Sequence, residues 1–134
     1  MKEFQLQIVT PDGLEFEGSA LSVLVRAQTG DVEILSGHAD LLLSLGTGRT
    51  RIITAEKTLR GSSSGGFVSV EKGNVRLVAT TFEFKDDIDL ERAKKAKSSA
   101  EEKLLAAKSA NEITLAKAKL ARAINRINVA TFKV

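Results

Sequence analysis

The spacing of apolar residues changes near residue 87, and this change limits the folds open to the chain. Before it, apolar and polar residues alternate, as in FQLQIV at 4–9. After it, apolar residues recur at intervals of three and four. Alternation is typical of half-buried strands, and the longer spacing is typical of amphipathic helices. The sequence therefore predicts a β-rich first part and a helical second part.

The first part contains short alternating segments separated by glycine-containing turns at regular intervals. The segments are FQLQIV, ALSVLVRA, DVEIL, GRTRIITA, GFVSVEKG and NVRLVATTFEF. This organisation is typical of a sandwich or barrel, and we interpret residues 1–84 as a small all-β sandwich. GSSSGG at 61–66 has the composition of a linker, but β-like segments flank it. We predict that it is the loop of a hairpin.

From residue 85 onward, the pattern predicts two helices that share an alanine-rich seam. The seam positions are Leu90, Ala93, Lys97, Ala100, Leu104 and Ala107, then Ile113, Ala116, Leu120, Ala123, Ile127 and Ala130. SANE at 109–112 interrupts them, which predicts an antiparallel hairpin with its turn near Asn111. Alanine buries little apolar area, so the helices should be able to separate. The predicted fold is α+β, with a sandwich at 1–84 and a hairpin at 85–134.

Composition argues against most catalytic chemistry. The chain has 134 residues, no cysteine and a single histidine, His38, so thiolate sites and histidine clusters for metals are excluded. It also lacks a P-loop and a nucleophile elbow. SGHAD at 36–40 brings Ser, His and Asp together, but a loop or capping role fits it better than a catalytic triad. We expect no catalytic residue, no metal and no enzymatic activity.

Positive charge is concentrated in the C-terminal third. Residues 1–85 carry 9 basic and 10 acidic side chains, a net charge of −1, whereas residues 86–134 carry 11 and 7, a net charge of +4. No acid occurs from residue 113 onward. This asymmetry predicts an anionic or acidic partner for the second helix. Nucleic acid is a weaker candidate, because phenylalanine is the only aromatic residue type and lies mostly in the first part.

DIDLERA at 87–93 places three acids and an arginine at the start of the first helix. The unpaired amide groups and the dipole of a helix start favour the acids but not Arg92. With the turn near 109–111, antiparallel folding places Arg92 near residue 128, next to Arg126, with Arg122 one turn further along.

This cluster of arginines would be relieved by acids such as Asp89 and Glu83, or by a bound polyanion. The donor fork of arginine suits phosphate oxygens, which makes a nucleoside triphosphate a reasonable ligand. From spacing alone, solvated surface charges are the simpler interpretation.

Longer motifs resemble the epsilon subunit of rotary F-type ATP synthases over essentially the whole chain. They are IVTPDGLEFEG at 8–18, GDVEILSGHADLL at 30–42, GGFVSVEKGNVRLVATTFE at 65–83 and IDLERA at 88–93. The last also matches the nucleotide motif I/L-D-x-x-R-A of bacterial members. The resemblance implies a non-catalytic rotor subunit whose sandwich binds the gamma subunit and the membrane ring of c subunits. It places the ring contact in a loop that carries Asp31 and His38.

The resemblance also implies a regulatory hairpin that is permissive when folded down and inhibits ATP hydrolysis when extended alongside gamma. Its basic second helix would dock on an acidic segment of the beta subunits in the alpha/beta head. The positions that match the regulatory ATP site are Glu83, Ile88, Asp89, Arg92, Ala93, Arg122 and Arg126. Ser99 stands where a further arginine is expected, which predicts weaker ATP affinity. The loop before His38 also lacks the usual proline and, before Ile34, a glycine.

The implied location is the cytoplasmic face of the bacterial plasma membrane, with attachment only through the complex. The N-terminal sequence does not resemble a signal peptide, and no apolar run has the length of a membrane span. Two alternatives remain open. One is a free-standing polyanion- or RNA-binding module with a basic helical arm, which predicts binding with a steep salt dependence. The other is a stand-alone ATP-hydrolysing enzyme, against which the missing P-loop argues.

Overall fold

A sandwich and a helical hairpin follow one another along the chain, as units Met1–Phe84 and Lys85–Val134. The computed structural model describes residues 2–132. Lys133 and Val134, the end of the predicted hairpin, lie outside the described residues. The two kinds of unit confirm the predicted α+β fold.

The sandwich consists of two five-stranded sheets with one apolar core between them. Its strands are β1 (Phe4–Thr10), β2 (Gly13–Ala20), β3 (Ser22–Ala27), β4 (Gly30–Leu35), β5 (Leu41–Ser44), β6 (Thr47–Ile53), β7 (Thr58–Ser64), β8 (Phe67–Glu71), β9 (Asn74–Val78) and β10 (Thr81–Phe84). The first sheet has the order β2-β1-β9-β8-β5, and the second β10-β7-β6-β3-β4. Ile8 and Leu77 of the first sheet and Val23 and Ile34 of the second are fully buried in this core.

Three strands, β2, β5 and β7, were not predicted by the alternating pattern. The prediction that GSSSGG forms a loop was wrong, because its first four residues end β7 and only Gly65 and Gly66 form the turn. Ser63 is fully buried, and its hydroxyl forms a hydrogen bond with that of Thr50 at 3.0 Å. A buried hydroxyl is tolerated when it is paired in this way, so a serine-rich segment can form a core strand.

One predicted segment, NVRLVATTFEF, forms two strands instead of one. Its first half is β9 in the first sheet, and its second half is β10 in the second sheet. The chain crosses between the sheets at Ala79 and Thr80. Both halves alternate, so periodicity alone could not separate them.

The helical unit starts with a 3₁₀ turn at Lys85–Asp87, followed by α1 (Leu90–Ala106) and α2 (Ala110–Ala130). The two helices pack against each other through the predicted seam. Its alanines at 93, 100, 116 and 123 are buried, whereas most of the remaining helix surface is exposed. Within residues 2–132, no helix is long and apolar enough to cross a membrane.

The turn between the helices lies at 107–109, so the prediction of a turn at 109–111 was wrong. The Ser109 hydroxyl accepts a hydrogen bond from the Glu112 amide at 3.1 Å, and the Glu112 carboxylate accepts one from the Lys108 amide at 2.9 Å. SANE is thus a helix-start signal related to the capping box, and Asn111 lies inside α2. With the turn centred on Lys108, the residue level with Arg92 is about Ile124 instead of 128.

Lys85 closes the open end of the hairpin. Its ammonium group donates a hydrogen bond to the carbonyl oxygen of Phe132 at 2.5 Å, just beyond the end of α2. The last turn of α2 has no basic residue of its own. Because the C-terminal end of a helix dipole favours a cation, Lys85 supplies from outside the charge that α2 lacks.

We expect Lys85→Met to loosen the C-terminal end of α2. The loss of one partly buried charge-assisted hydrogen bond should cost about 1 kcal/mol, or about fivefold in the opening equilibrium. Amide hydrogen exchange over residues 124–132 should accelerate by that factor. Lys95→Met, at an exposed site on α1, is the control, and equal exchange in the two variants would contradict the role of Lys85.

Candidate functional site

The predicted site residues divide between the two units. Glu83 belongs to the sandwich, where it lies in β10 opposite Ser62 of β7. The other six belong to the helical unit. Of these, Ile88 is half-buried between the 3₁₀ turn and α1, and its amide donates to the Lys85 carbonyl oxygen at 3.3 Å.

Asp89 is the N-cap of α1, which explains an acid at this position. Its Oδ1 accepts a hydrogen bond from the Arg92 amide at 3.1 Å. An acceptor here satisfies one of the unpaired amide groups of the first turn. The backbone thereby holds the carboxylate in place, and within residues 2–132 Asp89 forms no ion pair with an arginine. Its second oxygen can accept a hydrogen bond from a ligand.

Two rows of side chains share one side of the hairpin, which we call the arginine flank. The α1 row is Asp89, Arg92, Ala96, Ser99, Lys103 and Ala106, and the α2 row is Leu115, Lys119, Arg122 and Arg126. Each row is spaced by three and four residues beside the seam of its helix, and antiparallel packing turns both rows to the same side. Near the turn this arrangement is visible as a groove, because Lys103 and Ala106 line it together with Leu115 and Lys119.

The three arginines of the flank lie at similar heights along the hairpin. Arg92, level with about Ile124, falls between Arg122 and Arg126, so the two neighbours are about 3 Å away along the helix axis. Arg92 is exposed, and Arg122 and Arg126 are half-buried. In the part of the chain that the structure describes, Arg92 and Arg122 form no ion pair. Their positive charge is therefore available to an anion.

Ala93 and Ser99 contribute in different ways. Ala93 is 3% exposed and lies in the seam, so its side chain allows the helices to approach and is not presented to a ligand in this state. Ser99 is exposed and lies in the α1 row of the flank. The flank therefore has a gap in its positive charge on α1 between Arg92 and Lys103.

The sequence analysis did not include two cations of the helical unit, Lys119 in the α2 row of the flank and Lys85 at the end of α2. The signal for Lys119 was present, because it precedes Arg122 by three residues and so belongs to the same row. Lys85 carried no such signal, since its partner is a backbone carbonyl 47 residues away.

Asp31 and His38 do not share a loop, so that prediction was wrong. Asp31 lies near the start of edge strand β4, in ion pairs with Arg26 at 2.9 Å and Arg49 at 3.6 Å. His38 is half-buried and follows the other end of β4, with its Nδ1 2.8 Å from the Ala39 carbonyl oxygen. The intervening residues alternate and pair with β3, so strand formation separates the two side chains.

An apolar row crosses the outer face of the first sheet. It consists of Leu14 in β2, Val9 in β1, Val78 in β9 and Phe67 in β8, each paired with the next. Leu14 is 56% exposed and Phe67 is 41% exposed. Leu42 in the neighbouring edge strand β5, at 69% exposure, extends this surface. A contiguous exposed apolar surface is typical of a site of protein interaction.

Both units match known families. Residues 3–85 match the family described as ATP synthase, Delta/Epsilon chain, beta-sandwich domain, and residues 86–131 match its long alpha-helix domain. The ATP synthase epsilon chain of Bacillus pumilus is 41% identical over 132 residues, which cover 97% of this chain and 98% of that one. The epsilon chain of Ruminococcus albus is 36% identical over 134 residues, with 99% and 100% covered.

Solved structures share the fold. A chain in the mitochondrial ATP synthase of Euglena gracilis matches with a TM-score of 0.80 at 20% identity, over 92% of this chain and 78% of that one. A chain in the mitochondrial ATP synthase of Tetrahymena thermophila matches with a TM-score of 0.72 at 12% identity, over 97% and 98%. At these identities, the likeness concerns the fold alone.

The sequence matches extend through both units in the same order as the sandwich and the hairpin. The alternative of a free-standing polyanion- or RNA-binding module does not account for a match of this length. The chain belongs to the family of epsilon subunits of bacterial F-type ATP synthases.

Proposed function

We propose that this chain is a non-catalytic subunit of the central rotor that couples ion-driven rotation to ATP synthesis and inhibits ATP hydrolysis through its helical hairpin. In this proposal, ATP binding to the arginine flank controls the hairpin. The observation that carries it is that the flank combines cations from both helices, Arg92 on α1 and Arg122 and Arg126 on α2. A ligand that needs both helices binds only while they are packed together.

The sandwich is the docking unit of the proposed subunit. Its apolar row suits a stable protein contact, and we assign it to the gamma subunit. The charged edge at Asp31 and the turn at His38 are assigned to the polar loops of the c ring. The two structural relatives come from assemblies described as OSCP/F1/c-ring and as central stalk/c-ring, which supports a place on the rotor. The subunit would be peripheral, held at the cytoplasmic face of the membrane by its partners.

The hairpin is the switch. Its alanine seam buries little apolar area, so the packed state is only weakly favoured. A ligand shifts such an equilibrium by its difference in affinity for the two states, and ATP would favour the packed one. When ATP is scarce, α2 would separate and dock through its basic surface on an acidic segment of the beta subunits, where complementary charge sets the register.

ATP would be bound and not hydrolysed. The flank has no P-loop to cradle the phosphates. Between the start of α1 and Ser99, the α1 row of the flank contains one carboxylate, that of Asp89. This carboxylate accepts a hydrogen bond from the Arg92 amide. The role of bound ATP is thus to hold two helices together.

Arg122→Ala should weaken ATP binding by the isolated chain about ten- to a hundredfold, because one charge-assisted hydrogen bond contributes about 1.5–3 kcal/mol. Isothermal titration calorimetry measures the affinity directly. Lys117→Ala removes a positive charge from the same helix away from the flank and is the matched control. Absence of ATP binding by the unmodified chain up to millimolar concentration would reject control by ATP and leave the rotor assignment intact.

Phe67→Ser should weaken binding to purified gamma subunit by about tenfold, since completing the burial of such a ring contributes about 1–2 kcal/mol. The side chain is already 41% exposed, so thermal unfolding should change little. Leu105→Ser removes an exposed apolar side chain from the hairpin and serves as the control. Equal affinity of both variants for gamma would exclude the apolar row from this interface.

A further inference from the structure

A second row of outward-facing side chains runs beside the apolar row of the first sheet. It consists of Ser69 in β8, Arg76 in β9, Gln7 in β1 and Glu17 in β2, each paired with the next. We call it the polar row. Its members on β8, β9 and β1 each lie two residues from a member of the apolar row in the same strand, so both rows face the same side of the sheet. A partner that covers the apolar row therefore also meets the polar row.

Arg76 lies at the centre of this face. Its strand, β9, is the third of the five strands in the order β2-β1-β9-β8-β5. The side chain is exposed, and within residues 2–132 it forms no ion pair. Its neighbours in the polar row, Ser69 and Gln7, carry no charge. The guanidinium group is therefore an unneutralised charge in the middle of the face.

Two carboxylates on the same face do not neutralise Arg76. Glu17 lies two strands away, about 10 Å, and its Oε2 accepts a hydrogen bond from the side-chain amide of Gln7 at 3.4 Å. Glu71 occupies the diagonal position on β8, about 7 Å away, and forms no ion pair in the part of the chain that the structure describes. The guanidinium donors thus remain available to a partner.

The two rows together define the chemistry of a partner that binds this face. Phe67 and Val78 favour burial under an apolar surface. Burial of the Arg76 guanidinium without a counter-charge would oppose that contact. A carboxylate matches the donor fork of arginine with two parallel hydrogen bonds. The face therefore suits a partner that presents apolar side chains and, about 7 Å from them, a carboxylate, since this is the distance between the two rows.

We propose that Arg76 binds a carboxylate of the gamma subunit and thereby determines which partner surface the sandwich accepts. This inference rests on the proposed assignment of the apolar row to gamma and adds a charged contact at the centre of that interface. The apolar row supplies buried area, whereas Arg76 rejects an apolar surface that lacks an acid, because the guanidinium would then be buried unpaired. Arginines near the centre of an interface often carry much of its binding energy.

The test measures binding of the full chain to purified gamma subunit by surface plasmon resonance for four proteins: unmodified, Arg76→Gln, Arg76→Glu and the control Lys57→Gln. Arg76→Gln should weaken binding about tenfold, mainly through faster dissociation, because it breaks an enclosed charge pair. Arg76→Glu should weaken binding further, because it places two carboxylates against each other. Lys57 is exposed in the turn between β6 and β7 of the second sheet, so Lys57→Gln removes the same charge away from this face and should change the affinity less than about twofold.

Two results would overturn the role of Arg76. One is a loss of affinity in Arg76→Gln no larger than in Lys57→Gln. The other is equal affinity of Arg76→Gln and Arg76→Glu, since only a carboxylate on the partner makes the second change worse than the first. Thermal unfolding should be the same in Arg76→Gln and Lys57→Gln, because both side chains are exposed.

Phe67→Ser separates failure of this inference from failure of the proposed gamma contact. If Phe67→Ser weakens gamma binding and Arg76→Gln does not, the apolar row remains the gamma interface and the role of Arg76 is rejected. If neither variant weakens binding, both are rejected. If the chain alone forms a dimer in analytical ultracentrifugation that Arg76→Gln dissociates, the face binds a second copy and the assignment to gamma is rejected.

Discussion

Close contact between α1 and α2 through an alanine seam is the interaction on which the functional part of this structure depends. The buried alanines let the helices approach closely. Their packing fixes the register between the α1 row and the α2 row of the arginine flank. That register places Arg92 between Arg122 and Arg126 along the length of the hairpin. Larger seam residues would bury more apolar area and hold the helices more firmly, so we expect the alanine seam to make the hairpin easier to open.

Weak packing and positive charge act together in this unit. The flank brings Arg92 near Arg122, two cations that repel each other when the helices are together, and Lys97 adds a charged side chain to the seam itself. An anion that bridges the flank removes this repulsion only in the packed state. Lys85 also stabilises the packed state, because its ammonium group donates a hydrogen bond to a backbone carbonyl oxygen at the end of α2. The hairpin is therefore balanced by a few charge contacts and not by a large apolar core.

The sandwich differs from the hairpin, because a large apolar core lies between its two sheets. Alternation along each strand lets one sheet present two surfaces: Ile8, Val68 and Leu77 face the core, and their neighbours Val9, Phe67 and Val78 face outward. Rigid burial on one face thus supports an exposed apolar row on the other. The weakly packed hairpin follows as a separate unit, so the two can respond differently to ligands and partners.

The division into two units and the positions of the helix seam could be predicted from the sequence. The change of hydrophobic period separated sandwich from hairpin, and the seam positions and the arginine spacing followed from helix geometry, because these features depend on neighbours within a few residues. The boundaries of strands were harder to predict. The first four residues of GSSSGG end strand β7, where the buried Ser63 pairs with Thr50. NVRLVATTFEF divides between two sheets.

Tertiary structure alone decided the features that join distant residues. The true turn at 107–109 changed which residue stands opposite Arg92, and only the folded hairpin places Lys119 beside the gap at Ser99 and Lys85 at the end of α2. Asp31 and His38, close in sequence, are held apart by a strand. Local periodicity determines which face of an element a side chain occupies, but pairing between elements is a property of the whole chain, because register depends on packing across the interface.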